Sequence, residues 1–346
     1  MAGHVNRQII LAARPHGEPK ESDFRMVEAP IPEPGPGQML LRTLYLSLDP
    51  YMRGRMNAGP SYAPPVEIGQ VMGGGTVSRV DASNLEGFQP GDTVEAYTGW
   101  EDYALSDGRG VRKLDPSVAP VTTALGVLGM PGMTAWTGLM NIGQPRPDET
   151  VVVAAASGAV GSVVGQLAKI KECRAVGIAG GENKCRYVVE ELGLDACVDH
   201  RIPNFADALK AACPKGIDVY FENVGGPVFD AVLPLLNTFA RVPFCGLIAH
   251  YNDSNPPEGP DRVPMLMRQV LVKRLTLRGF IVSDFAGQQS DFLAEVAPMV
   301  RDGRIKYREH IVNGLENAPR ALIGLLRGEN FGKVIVRVAA EDRPEP

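Results

Sequence analysis

The sequence predicts an α/β protein in two parts, a doubly wound parallel sheet and a second, β-rich unit. Three observations predict this. From about Val127 onward, short β-branched runs alternate with amphipathic ones, the pattern of parallel strands joined by crossover helices. Up to about residue 125 the chain is instead rich in Gly and Pro and breaks into short strand-like runs, as in "PIPEPGPGQMLLRTLYL" and "GFQPGDTVEAYTGWEDYALS", which suggests a partly closed barrel. At 346 residues the chain is also longer than one ordinary domain.

The alternating block opens with "VVVAAASGAVGSVVGQLAK", a strand at Val151–Ala155 followed by a helix with Val160, Val163, Val164 and Leu167 on one face. "RAVGIAG" is the next strand. "NKCRYVVEELG" is a helix whose Cys185, Val188, Val189 and Leu192 line up and which Gly193 ends. "DACVDH" is a short strand, "FADALKAAC" a helix, "IDVYFENVGG" a strand with a glycine-rich exit, and "PVFDAVLPLLN" a helix. The strand "ARVPFCGLI", a loop "NDSNPPEGP", the helix "VPMLMRQVLVK" and the strand "LTLRGFIV" complete the block. In the tail, "FLAEVAPMVRDG" and "ENAPRALIGLLRG" read as helices, "YREHIVNG" and "KVIVRV" as strands. The last strand lies outside the alternation and is expected to return to the N-terminal unit.

Composition narrows the partners. The 35 basic and 40 acidic side chains leave a net charge of −5 without a Lys/Arg cluster, which argues against nucleic acid and anionic membranes. No apolar segment approaches membrane-spanning length, and "MAGHVNRQIILAARPHG" lacks the length and flanks of a signal peptide. Cys173, Cys185, Cys197, Cys213 and Cys245 are odd in number and form no CxxC pair, which fits free thiols in a reducing cytoplasm. No Cys precedes Cys173, and His4 and His16 stand alone, so no metal site is expected.

The turn after Val151–Ala155 carries Ala156-x-Gly158-x-x-Gly161, a dinucleotide fingerprint with alanine for its first glycine. Gly158 lets backbone approach a pyrophosphate, Gly161 lets helix and strand pack, and the helix N-terminus offers amides and a favourable dipole. A plain βα connection with no ligand is the other reading. An NAD site places a carboxylate at the end of the second strand, where this chain has Gly180 and Gly181, with Lys184 shortly beyond. Without that carboxylate a 2′-phosphate is not repelled, and Lys184 can pair with it; the expected cofactor is therefore NADPH. A solvated role remains the alternative for Lys184 and is expected for Arg186. Other strand exits place Asn223, Cys245 and Tyr251 where open α/β sheets bind ligands.

Taken together, "DPYMRGRM", "AASGAVGSVVGQLAK", "AGGENKCRYV", "ACPKGIDVYFENVGG", "CGLIAHYN", "LRGFIV" and "GLENAPRALIGLLRGENFGKVIVRV" resemble the zinc-independent medium-chain reductases, specifically the leukotriene B4 dehydrogenase/prostaglandin reductase group and its bacterial curcumin reductases. The resemblance spans nearly the whole chain. It implies a GroES-like catalytic domain from residues 1–126 and 304–346, a Rossmann domain at 127–303, and a homodimer. It implies NADPH-dependent reduction of the carbon–carbon double bond of α,β-unsaturated ketones and aldehydes. It further implies Gly158, Ala159, Val160 and Gly161 at the pyrophosphate and Lys184 at the 2′-phosphate. Asn223, Cys245, Tyr251, Phe280, Ile281 and Val282 would surround the nicotinamide, with Asn330 closing over it. His200 stands where many relatives have tyrosine in a cofactor contact. The stretches matching the zinc ligands of metal-dependent members, "GQVMGG" and "LSLDPYMRG", lack the His and Cys those members use.

Hydride addition to an enone puts negative charge on the carbonyl oxygen, which hydrogen-bond donors must stabilise before the α-carbon is protonated. Phenols suit this role. Tyr251 is expected to polarise the carbonyl or relay the proton, with Tyr51 and Tyr62 shaping the substrate pocket. Arg53 would line that pocket, bond the cofactor or order its own loop. Quinone reduction on the same fold, or NADPH binding without turnover, are the rival readings.

Overall fold

The computed structural model describes residues 5–255 and 259–341 and divides into two units, Met1–Leu125 with Glu309–Pro346 and Gly126–Arg308. His4 and part of the "NDSNPPEGP" loop lie outside the described residues. The first stretch runs β1 (Val5–Leu11), β2 (Phe24–Pro30), β3 (Met39–Ser47), α1 (Tyr51–Arg55), β4 (Thr76–Ser83), β5 (Thr93–Ala96), β6 (Tyr103–Ser106) and β7 (Arg112–Lys113). The second unit follows with α2 (Met130–Thr137), β8 (Thr150–Ala154), α3 (Gly161–Ile170), β9 (Arg174–Ala179), α4 (Glu182–Glu190) and β10 (Ala196–Asp199). It continues with α5 (Phe205–Ala212), β11 (Ile217–Phe221), α6 (Gly226–Val232), β12 (Leu236–Phe244), α7 (Val263–Lys273), β13 (Thr276–Gly279) and α8 (Gln289–Arg301). The chain then returns to the first unit as β14 (Glu309–Asn313), α9 (Ala318–Leu326) and β15 (Lys333–Arg337).

The first unit is built on β3, whose residues are buried at every position but Arg42 because neighbouring structure covers both its faces. Its sheet runs β14-β15-β3-β4-β5-β7, with β6 pairing β3 separately, while β1 and β2 form their own antiparallel pair. The final strand thus does return, antiparallel to β3 through Ile335, Val336 and Arg337. Ile9, Leu11, Phe24, Leu46, Trp100 and Leu322 pack as one cluster, with the Phe24 and Trp100 rings stacked at 5.7 Å. Burial of each such aliphatic side chain contributes about 1.5–3 kcal/mol.

An ion pair buried in this unit escaped the sequence reading. Lys333 Nζ lies 2.7 Å from Asp49 Oδ1 and donates to the Leu48 carbonyl at 2.6 Å, with the two side chains only 5% and 7% exposed. The Ser47 hydroxyl donates to the other Asp49 oxygen. Burial pulls the ammonium below its ordinary pKa, against the opposing pull of Asp49. The pair joins β15 to the segment between β3 and α1, and the Asp49 carbonyl accepts the Met52 amide in the first turn of α1.

The second unit is a six-stranded parallel sheet, β10-β9-β8-β11-β12-β13. Strand order reverses between β8 and β11, the switch point outside which such sheets take ligands. Strand β8 is wholly buried and β9 nearly so, which is why both read as continuous apolar runs rather than alternating ones. Details differ from the sequence reading. Strand β12 starts earlier, at Leu236, and stops at Phe244, after which the Cys245 and Gly246 amides both turn onto the Glu222 carbonyl, the last rung shared with β11's exit. Strand β13 stops at Gly279, and Phe280 turns inward to pack edge-on against Phe221. On α4 the buried arc is turned toward Tyr187 and Val188, leaving Val189 38% exposed. Among the described residues no helix is long and apolar enough to cross a membrane.

Lys333→Met should strand the Asp49 carboxylate without its counter-charge and lower stability by about 3–5 kcal/mol. Denaturant unfolding of the two proteins measures this, and equal midpoints would show that the pair carries no such load.

Candidate active site

The phosphate-type turn is tight because three backbones meet there. Ala155 adopts a left-handed conformation (φ 54°), and its carbonyl accepts the Gly158 amide at 2.9 Å. A Cβ on Gly161 would lie 2.3 Å from that carbonyl oxygen, and one on Gly158 would lie 3.1 Å from it. Glycine is therefore required at Gly161 by contact. Alanine replaces the usual first glycine without strain because β9 makes room. The Ala156 methyl is fully buried, and a Cβ on Gly177 would come within 2.7 Å of it. Ala159 and Val160 are half-buried and complete the turn into α3, where the Ser162 and Val163 amides bond the Gly158 and Val160 carbonyls at 3.0 and 3.1 Å. A cradle of backbone that a Cβ would fill, at a helix N-terminus, fits a pyrophosphate.

Past β9 and β10 the structure gathers basic side chains. Built at Gly180, a Cβ would meet His200 Nε2 at 2.9 Å and Arg201 Nε at 3.0 Å; at Gly181 it would face Arg201 Nη1 at 3.8 Å. The position that would carry an acidic side chain in an NAD site is thus occupied by imidazole and guanidinium. Asp199 does not replace it: Oδ1 is spent on the Gly181 and Arg201 amides, each at 2.9 Å. Although burial opposes it, these bonds hold the Asp199 carboxyl below its ordinary range. Lys184, on the first turn of α4, is half-buried; desolvation and then the Arg201 charge lower its pKa. Desolvation and Arg201 also lower His200. Three basic side chains, two of them depressed beside the Arg201 charge, fit an anion. Arg186, in contrast, bonds Asn183 at 3.0 Å on the exposed side of α4. Sequence reasoning missed Arg201, whose one signal is its place directly after His200 beyond the third strand of the unit.

At the exits of β11 and β12, Asn223 donates to the Ala154 carbonyl at 2.8 Å and so ties the end of β11 to that of β8. Glu222, also missed, is fully buried; one oxygen accepts the Val224 and Gly225 amides and the Tyr220 hydroxyl, and burial raises its pKa. That carboxyl shapes the glycine-rich turn. The half-buried Cys245 thiol, desolvated and close to Glu222, is pushed up to about 12 and is no thiolate. Tyr251 follows a 3-10 turn at Ile248–His250, half-buried, its hydroxyl 3.4 Å from the Leu247 amide. The Phe280 ring belongs to the core, so its backbone and the half-buried Ile281 and Val282 are what this segment presents.

The remaining candidates lie in the first unit. Tyr51, the first residue of α1, is held well above the ordinary phenol range by burial, Asp49 and the hydroxyls of Tyr97 and Tyr62, with Tyr97 hydrogen-bonded to it. The Arg55 guanidinium lies 4.5 Å from the exposed Tyr62 ring and 5.8 Å from that of Tyr51. Tyr97 and Arg55 therefore join a cluster in which only Tyr51 and Tyr62 were expected. Arg53 is 2% exposed and donates to the Gly17 carbonyl and to Asn57, which orders its loop. The Asn330 amide bonds the Gly332 carbonyl at 2.7 Å before β15. Among the described residues no group of three or more His, Cys, Asp or Glu is placed to hold a metal.

Residues 7–114 match the model of an N-terminal domain of oxidoreductases, and residues 159–300 match that described as zinc-binding dehydrogenase. The NADPH-dependent curcumin reductase of Escherichia coli is 57% identical over 97% of this chain and 98% of its own. The chain belongs to the medium-chain dehydrogenase/reductase family. Within it, the NADP(+)-dependent 2-alkenal reductase of Nicotiana tabacum is 39% identical over 97% of this chain and 98% of its own. The crystal structure of CurA from Vibrio vulnificus in complex with NADPH is 55% identical over 97% of this chain and all of that one, with a TM-score of 0.94. The medium-chain reductase fold is thus common to this chain and to a solved NADPH complex.

Proposed function

We propose that the protein is an NADPH-dependent reductase of the carbon–carbon double bond in α,β-unsaturated ketones and aldehydes. The observation that carries this reading is the cluster of Lys184, His200 and Arg201 around two glycines where a carboxylate would select NADH. The curcumin and alkenal reductases among its relatives support the substrate class.

Gly158, Ala159, Val160 and Gly161 would cradle the pyrophosphate, and Lys184, His200 and Arg201 would hold the 2′-phosphate. Asn223, Cys245 and the backbone of Phe280, Ile281 and Val282 would border the nicotinamide, with Asn330 as a further contact. When bound, the reduced nicotinamide supplies a hydride for the β-carbon. Charge then develops on the substrate carbonyl oxygen, and a donor already aimed at it lowers the barrier without reorganising. Tyr251 is assigned this donor role and the relay of a proton to the α-carbon. Tyr51 and Tyr62 are assigned substrate contacts, and the raised pKa of Tyr51 keeps it a protonated donor across the physiological range.

We also propose a cytoplasmic homodimer. Five free thiols support a reducing compartment, and recovery of the protein outside the cytosolic fraction would end that reading. Strand β13 is a sheet edge, and the α7 region beside it exposes Val263, Met265, Met267, Leu271 and Val272. An open edge next to an apolar face is what a second copy covers in an isologous interface.

Lys184→Ala should raise KM for NADPH about tenfold, the loss of one charge-assisted hydrogen bond, while leaving NADH kinetics unchanged. Wild-type enzyme that takes NADH equally well would sink the cofactor assignment. Tyr251→Phe should slow turnover on an enone about a hundredfold with little change in KM for NADPH; undiminished turnover removes Tyr251 from the mechanism. Leu271→Asp should convert the dimer to monomer in sedimentation, and a wild-type monomer would refute the interface.

A further inference from the structure

Glu222 stands where the exits of β11 and β12 meet, and it spends both its side chain and its main chain on backbone amides. Side-chain Oε1 accepts the Val224 amide at 2.6 Å, the Gly225 amide at 2.9 Å and the Tyr220 hydroxyl at 3.0 Å. The main-chain carbonyl accepts the Cys245 and Gly246 amides at 2.9 and 3.2 Å. The residue is fully buried, and its other oxygen, Oε2, is shut from solvent without a hydrogen-bond partner among the described residues. Stranding Oε2 costs desolvation. What the fold draws from this side chain is therefore the acceptor at Oε1 and the reach that brings it to two amides.

The segment that Oε1 holds supports the next one. The Asn223 and Val224 carbonyls accept the Ile248 and Ala249 amides at 3.2 and 3.0 Å, which lays the 3-10 turn Ile248–His250 along residues 223–226. No side chain fits between the two. A Cβ on Gly225 would lie 3.0 Å from the Leu247 side chain and 3.1 Å from the His250 ring, and one on Gly226 would lie 3.4 Å from the Ala249 methyl. His250 Nδ1 is in turn 2.7 Å from the Asp253 carboxylate, which closes the turn beyond. Tyr251 sits between those two residues. Its amide bonds the Ile248 carbonyl at 3.3 Å, and its hydroxyl would lie 3.0 Å from a Cβ on Gly246.

From this chain of contacts we propose that Glu222 is the positioning residue for Tyr251, acting through Val224 and Gly225 to fix the turn from which the phenol meets the substrate carbonyl. Val224 is the pivot, since its amide is held by Glu222 and its carbonyl holds Ala249. A shift of the 224–225 backbone therefore carries the 248–250 turn with it. A donor lowers the barrier only if it is aimed before charge develops, so looseness in this turn is paid in turnover and not in cofactor binding.

The catalytic consequence rests on the assignment of Tyr251 above; the link between the two segments does not. Two substitutions separate reach from charge. Glu222→Asp keeps the carboxylate but retracts it by one methylene from the Val224 and Gly225 amides. Glu222→Gln keeps an oxygen acceptor at full reach and gives up the charge. With methyl vinyl ketone as substrate, Glu222→Asp should lower kcat about tenfold at unchanged KM for NADPH, and Glu222→Gln should recover most of that loss. In a Tyr251→Phe background Glu222→Asp should cost nothing further, whereas general damage to the fold would add its full effect. The link is also read without any substitution, by hydrogen exchange on the wild-type protein: the Val224, Gly225, Ile248 and Ala249 amides should open as one unit. Independent exchange of the two segments overturns the link. An equal loss in both backgrounds, or an active Asp variant beside an inactive Gln variant, overturns the positioning role. Undiminished turnover in Tyr251→Phe alone overturns the assignment of Tyr251 and the catalytic role with it, and the link is then judged by exchange.

Discussion

The cofactor unit depends on how closely a helix start can approach the strand end before it. Ala155 turns left-handed and aims its carbonyl into the space where Gly161 begins α3, and no side chain fits between them. Once that contact exists, the rest of the turn is constrained. Gly158 must close beneath the same oxygen, and the Ala156 amide is then placed to donate to Ile178 of β9 at 2.9 Å. Further along the helix, a Cβ on Gly165 would run into Leu194 at 2.6 Å, so the approach is maintained beyond the turn. The familiar first glycine is dispensable here because the missing volume has moved to the neighbouring strand, at Gly177. What the fingerprint preserves is a gap, and the residue that supplies it is negotiable.

Charge follows from the same economy of space. Gly180 and Gly181 leave the end of β9 bare, and the bareness is filled from the next strand by His200 and Arg201. A carboxylate at Gly180 would have to displace both. Asp199 looks like a substitute acid in sequence, but its Oδ1 is committed to the Gly181 and Arg201 amides and orients the loop that carries Arg201. In the proposed reading, selection for a phosphorylated ribose would be a property of two adjacent strand exits, with Lys184 from α4 as the third contributor.

How much of this was legible in the sequence follows physical lines. Strand β8, the glycines of the turn, α3 and the alternation after them were readable because each rests on local rules: β-branched runs, helical spacing and glycine's lack of a Cβ. The place of Lys184 just past β9 was readable because it sits next to its strand in sequence. Arg201, Tyr97 and Lys333 were not, since each acquires meaning only from a residue that folding brings to it. Glu222 was missed for another reason: a carboxylate in "FENVGG" looks like solvent-facing charge, yet it is buried and accepts the nearby Val224 and Gly225 amides. Element ends failed for a related reason. Strand β12 stops where backbone amides find Glu222, and no propensity along 240–248 announces that. The five cysteines are free, as their odd number and spacing imply.

The first unit shows the same dependence on late partners, and it bears on why the chain ends where it began. A strand such as β15 could in principle cover β3 by apolar contact alone, and Val334, Ile335 and Val336 do pack that way. The charge at Lys333 adds direction. An ammonium with almost no exposure is tolerable only opposite Asp49, so β15 is registered against the segment that launches α1 and with it Tyr51. A slip of β15 by one residue would bury valine against a carboxylate and leave the buried ammonium without its counter-charge, two penalties from one displacement. The buried pair thus contributes specificity of register more than net stability. It makes the position of a tyrosine near the N-terminal half of the chain depend on a lysine near its other end.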